Sequence, residues 1–155
     1  MLAPGAKVPE KTVADLPVFE LGNFEPRRLY RGWNKSAYAA NAFDSEPEAL
    51  LARLLDRAGE LEWWVRNAPV RLEIDTPAGR YLPDFVVQLA PKEDRSFIIL
   101  EGKADFRWED PLSEARIKNR AAQEWAARQR ALGYQISLAV ALESAISGAA
   151  EAGAN

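Results

Sequence analysis

The 155-residue sequence predicts an α/β domain built in the order helix, three strands, helix, strand. Three observations carry that expectation. Two apolar runs, Tyr81–Leu89 and Ser96–Asp105, concentrate β-branched and aromatic residues between Pro, Gly and charged turn residues, the pattern of strands. An amphipathic segment with both ends marked lies ahead of them at 43–59. A second helical segment follows, opening at Pro111 to Ser113 and closed by Gly133, and it leads into an apolar run at 134–142.

Taken in order, residues 1–28 hold Pro4, Pro9, Pro17 and Pro26 with no sustained period and read as an N-terminal arm, with Leu16–Leu21 a short edge strand. The aromatic-rich stretch from Leu29 to Phe43 reads as irregular structure or a short helix. In the helix that follows, Ser45 is the expected N-cap, Pro47 is tolerated in the first turn, and Gly59 is the C-terminal stop. Leucines at 50, 51, 54 and 55 give it one buried face, and Glu48 lies on that side. Leu61–Val65 and Val70–Asp75 are strand candidates, and the turn Thr76–Gly79 returns the chain into Tyr81 as a hairpin. In the second helix Ile117, Ala121, Trp125 and Leu132 form the expected apolar stripe, with Trp125 in the core. Arg116, Arg120, Gln123 and Arg130 fall on another face. The folded domain is expected over 29–142, and residues 143–155, rich in Ala, Gly and Ser, read as a frayed, flexible tail.

Composition narrows the chemistry. The chain has no cysteine and no histidine, which excludes disulfides, thiolate zinc sites and Ser-His or Cys-His catalysis. Acid and base work is left to carboxylates, Lys and Tyr. A net charge of −3 neither announces nor excludes a nucleic-acid partner. No apolar run approaches the ~20 residues of a membrane span, and the first residues lack an apolar signal core, so a soluble cytoplasmic protein with no membrane partner is expected. There is no Gly-rich phosphate loop.

A hairpin made of the two central strands sets Asp84 beside Glu101 and Lys103, and the last two share a face because strand side chains alternate. Hard oxygen ligands of this kind suit Mg²⁺ or Mn²⁺, and a lysine beside such an ion can orient or deprotonate a water for attack on phosphorus. This combination is a nuclease constellation. Each residue alone reads as a solvated strand end; four apolar residues, Phe97 to Leu100, running straight into Glu-x-Lys change that reading. For Glu48 two roles compete, because Ser45-x-x-Glu48 also fits a capping box. For Lys118, Arg116, Arg120 and Gln123 a solvated helix face is the default and phosphate contact the sharper reading.

Pro83-Asp84 followed by Glu101-Gly102-Lys103 resembles the PD-(D/E)xK nuclease signature. The likeness extends through Tyr30, Trp33–Tyr38, Phe43-Asp44-Ser45-x-x-Glu48, Trp63–Asn67, Tyr81–Phe85 and Lys118-x-x-Ala121-Ala122-x-x-Trp125. Together these are similar to the C-terminal endonuclease domain of type III restriction subunits and related helicase-nuclease proteins, over roughly 28–142. The resemblance implies a restriction-endonuclease-like core, a central mixed sheet flanked by helices, and a Mg²⁺-dependent hydrolase of DNA phosphodiesters in a restriction or phage-defence system. By matching position, Asp84 would bind the metal, Glu101 and the Gly102 carbonyl would complete its shell, Lys103 would position the water, and Glu48 would hold a second metal or its waters. Gly102 departs from the apolar residue usual there. No motor lies within these residues, so a helicase or translocase domain or subunit is an expected partner, and a homodimer is expected for double-strand cleavage. The competing readings are a catalytically silent nuclease-fold module that binds DNA or a motor, and an assembly domain docking through residues 29–43.

Overall fold

The computed structural model describes residues 13–68 and 71–153. Its elements are α1 (Glu46–Arg57), β1 (Leu61–Arg66), β2 (Ile74–Thr76), β3 (Gly79–Tyr81), β4 (Phe85–Leu89), β5 (Phe97–Lys103), α2 (Asp105–Glu109), α3 (Glu114–Ala131), β6 (Ile136–Leu142) and α4 (Glu143–Gly153). Four strands form one sheet in the order β1-β4-β5-β6, and β2 and β3 form a separate hairpin. β4 pairs antiparallel with β1 and with β5, whereas β5 and β6 run parallel, so the sheet is mixed. A parallel neighbour requires a crossover, and α3 supplies it. Within the sheet the order is helix, three strands, helix, strand, as the sequence predicts; the hairpin is inserted between the first two of those strands.

Alternation along β5 divides the interior in two. Leu100 joins Trp64, Phe85 and Val87 under α1, while Ile99 joins Ile74, Tyr81, Ala122, Ala126 and Leu138 under α3 and the hairpin. The first core is aromatic: Trp64 is fully buried and meets Trp33 and Phe85 edge to face, at centroid separations of 5.3 and 5.8 Å. Residues 29–43 form no helix. They lie as irregular chain along the outer edge of β1, where Lys35 and Ala37 exchange backbone bonds with Trp64 and so cover an open strand edge.

α1 starts on Ser45, whose hydroxyl accepts from the Glu48 N–H, but it ends on an extended Ala58, and Gly59 lies just beyond. α3 starts on Ser113 and stops at Gly133, where φ is +98°.

Several expectations are corrected. Leu16–Leu21 forms no strand, only a single bridge from Val18 to Arg31. Arg71–Glu73 is irregular and the strand begins at Ile74, while Val70 lies outside the described residues. The run 81–89 is two strands, because Pro83 has no N–H to continue a ladder. β5 ends at Lys103, and Asp105 opens α2. The buried face of α3 is Asn119, Ala122 and Ala126, with Trp125 half-buried and Ile117 and Leu132 exposed; small residues let the helix lie close on the sheet.

The expected tail is a helix over Glu143–Gly153. It is anchored on α1 through buried Ile146 and partly buried Ala150, and its Ser144 N–H donates to Asp105 Oδ1 at 3.1 Å. The Ser144 side chain first, and then its backbone N–H, hold the Asp105 carboxyl below its ordinary range. Of the arm, residues 1–12 lie outside the described part, and Phe19 is buried against the aromatic core.

Candidate active site

The site forms where the antiparallel ladder stops. β4 begins at Phe85, so its pairing with β5 reaches only Leu100, and Glu101–Lys103 continue beside β6 with one edge open. Asp84 turns into that gap. Its own N–H donates to the Leu100 carbonyl at 3.0 Å and its Oδ2 accepts the Gly102 N–H at 2.8 Å, so the carboxylate replaces the missing ladder bond. Buried Asn67 fixes this bend from behind: its N–H donates to the Asp84 carbonyl at 2.7 Å and its side-chain nitrogen to the Pro83 carbonyl at 2.9 Å.

The gap opens into a cavity of about 310 Å³ whose walls include Glu48, Asp84, Glu101, Gly102 and Lys103. The four charged residues singled out from sequence therefore share one space, and α1 contributes Glu48 to it. Lys103 Nζ and Glu101 Oε1 form an ion pair of 2.6 Å, with Glu101 only 7% exposed. Glu48 keeps one oxygen on its own helix start, where Oε1 accepts the Ser45 hydroxyl at 3.5 Å. Its Oε2 meets Arg66 at 3.1 Å, and the same guanidinium reaches Asp44 at 3.3 Å and lies over the Phe43 ring.

Burial pushes the Asp84 carboxyl up to about 6; the Gly102 N–H opposes that rise, the charges of Glu48 and Glu101 add to it, and Lys103 offsets part of it. A buried carboxylate crowded by two others is an arrangement that a bound cation relieves. Among the described residues no group of three or more acidic side chains is gathered closely enough to cage an ion unaided. Asp84 and Glu101 are a fitting pair for an ion that keeps much of its water, and Mg²⁺ does so in most of its sites.

The predicted phosphate contacts diverge. Lys118 pairs with Glu114 at 2.7 Å, which lowers the Glu114 carboxyl from its ordinary range, and it borders a smaller cavity of about 180 Å³ on the far side of Glu101 and Lys103. Arg120 is exposed. Arg116 is folded onto Trp108, 4.6 Å above the ring and bonded to that residue's carbonyl, and Gln123 donates to the Leu138 carbonyl at 3.1 Å.

Sequence reasoning missed Glu143, which lines the cavity from the start of α4, and named Arg66 and Asn67 only within the resemblance, with no role at the site. Arg66 and Asn67 close β1 in a Trp-Trp-Val-Arg-Asn run, and polar residues ending an apolar strand were the available signal.

Among the described residues no helix is long and apolar enough to cross a membrane. No curated protein and no solved structure matches the chain. A family description does: residues 34–140, from the aromatic edge chain through most of β6, match the one for an endonuclease domain. On that match and on its mixed sheet flanked by helices, the chain belongs to the endonuclease-domain family, a nuclease of the restriction-endonuclease-like fold.

Proposed function

We propose that the chain is a Mg²⁺-dependent DNA endonuclease of the PD-(D/E)xK type, most like the C-terminal nuclease domain of type III restriction subunits and related helicase-nuclease proteins. It would serve a cytoplasmic phage-defence system beside a helicase or translocase motor, with two copies cutting the two strands. The observation that carries this reading is the meeting of Asp84, Glu101 and Lys103 at the open edge of β5, with Glu48 facing them across one cavity.

In this mechanism Asp84 and Glu101, with the Gly102 carbonyl, would hold the divalent ion, for which Mn²⁺ could substitute, and Glu48 would hold its waters or a second ion. Once bound, the ion would supply charge neutralisation at phosphorus and make the attacking water more acidic. Gly102 N–H fixes the Asp84 carboxylate, so the ligand geometry is set before substrate arrives. Arg66 holds Glu48 in place from the side of β1. Lys103 leaves Glu101 and turns its ammonium to the attacking water, orienting it in line with the scissile bond. Arg120 grips the flanking backbone most readily, because Lys118 must first leave Glu114, Arg116 must leave Trp108 and Gln123 must leave Leu138.

The test is digestion of supercoiled plasmid by the purified chain. Nicked or linear DNA should appear with Mg²⁺ or Mn²⁺ and stop when EDTA is added. Cleavage that continues unchanged in EDTA would contradict the metal-dependent mechanism, and DNA retention on a gel without any cut would favour the silent binding module.

A further inference from the structure

Two buried side-chain polar atoms among the described residues have no hydrogen-bond partner, the Tyr81 hydroxyl and the Asn119 amide nitrogen. They are neighbours. Tyr81 closes β3 and Asn119 lies on the buried face of α3, and both residues are more than nine-tenths buried. The polar groups facing the Tyr81 hydroxyl are Glu101 and Asn119, and burial together with the Glu101 charge drives the phenol well above its ordinary range, so it stays protonated. A phenylalanine would fill the same space without leaving a hydroxyl unpartnered in the interior. The hydroxyl therefore calls for a role.

Glu101 supplies one. Its carboxylate is held by Lys103 at 2.6 Å and is almost wholly buried. Under the nuclease reading, on which this inference rests, Lys103 must leave Glu101 to reach the water. The bound ion would still compensate the Glu101 charge, but the Oε1 oxygen that accepted from Lys103 loses its donor, a costly state for a buried carboxylate oxygen unless another donor replaces it. We infer that Tyr81 and Asn119 are positioning residues that take over Glu101 when Lys103 turns away. Asn119 Nδ2 donates to the Tyr81 oxygen, and the Tyr81 O–H donates to the Glu101 carboxylate. The catalytic cavity, which Lys103 lines, leaves the lysine side chain room to turn to the water, and the smaller cavity borders the Tyr81 and Glu101 it leaves behind. No proton changes owner: the phenol keeps its hydrogen and only the acceptor's partner is exchanged. The two unpartnered atoms are the relay at rest, while Lys103 is docked.

Thermal unfolding of the full chain in EDTA tests the exchange without requiring cleavage. Tyr81→Phe alone should leave Tm unchanged or slightly raised, because it removes an unpartnered hydroxyl. In a Lys103→Met background, where Glu101 has only the relay, the same substitution should lower Tm by about 2–6 °C. An equal shift in both backgrounds overturns the inference; if Lys103→Met does not fold, Lys103→Gln serves as the background. In the plasmid assay Tyr81→Phe should lower kcat roughly 10–100-fold with KM for DNA little changed, the mark of a residue acting on a ligand's orientation. A Tyr81→Phe chain that cuts at the wild-type rate overturns the inference and leaves the nuclease reading standing. A wild-type chain that cuts nothing overturns the nuclease reading, and the unfolding cycle still decides the Tyr81 contact.

Discussion

Gly102 donates its backbone N–H to Asp84 Oδ2 at 2.8 Å across the gap where β4 and β5 part, so a side chain on one strand completes the ladder of the other. This bond fixes a carboxylate at the mouth of the cavity, and it also fixes what can stand at position 102.

A β-carbon at Gly102 would lie 3.7 Å from Asp84 Oδ2 and 3.9 Å from both the Ala141 carbonyl and Ile146 Cδ1, which is ordinary contact. Gly102→Ala should therefore fold and gain about 1–3 °C in Tm, because alanine restricts the unfolded chain more than glycine does. Gly102→Val adds two methyls into the same space and should lose that gain. Thermal melts of the two variants check this, and a clear loss of stability in the alanine variant would contradict it.

Asp84 should make the chain less stable as pH rises. Its carboxyl titrates near 6 when folded and near 3.8 when unfolded, so between those values the folded state holds the extra proton. Its contribution is most favourable below pH ~4 and is lost as pH climbs through 6, by an amount on the order of 2–3 kcal/mol. Asp84→Asn should accordingly melt about 5–10 °C above wild type at pH 8, with the difference vanishing below pH 4. A pH-independent difference would sink this account.

How much of this was legible in the sequence depends on whether a residue's neighbours in the chain are also its neighbours in space. The run Phe97–Leu100 into Glu-x-Lys announced β5 and the side on which Glu101 and Lys103 lie, because alternation is a local property. Ser45 announced the start of α1, and Pro111 to Ser113 that of α3, for the same reason. Residues 143–153 read as a tail because Ala, Gly and Ser carry little apolar signal; their order rests on Ile146 meeting α1, a contact made across almost a hundred residues of chain. The face of α3 was misread because leucine and isoleucine were expected inside, while close packing on the sheet selected Ala122 and Ala126. For the site, Glu48 could be placed on a helix face but its partner Arg66 could not be found, since nothing local links residue 48 to residue 66.

Asp56 illustrates a carboxylate that sequence alone cannot separate from catalytic ones. It is buried, and its oxygens accept the Asn34 N–H at 2.9 Å, the Lys35 N–H at 2.8 Å and Trp64 Nε1 at 3.1 Å, tying the aromatic edge chain to α1. Asp56→Ala leaves three donors without their acceptor, one of them on fully buried Trp64, and should cost roughly 2–4 kcal/mol. Urea unfolding would show a lowered midpoint with an unchanged slope, and a loss below about 0.5 kcal/mol would remove Asp56 from its structural role.

The most direct test of the central claim is digestion of supercoiled plasmid in Mg²⁺ by wild type, Asp84→Ala and Lys103→Ala, with circular dichroism recorded on each protein. Wild type should cut, and both variants should lose cleavage while keeping the wild-type spectrum. Cleavage retained by both variants would contradict the assignment of Asp84 and Lys103 to the chemistry.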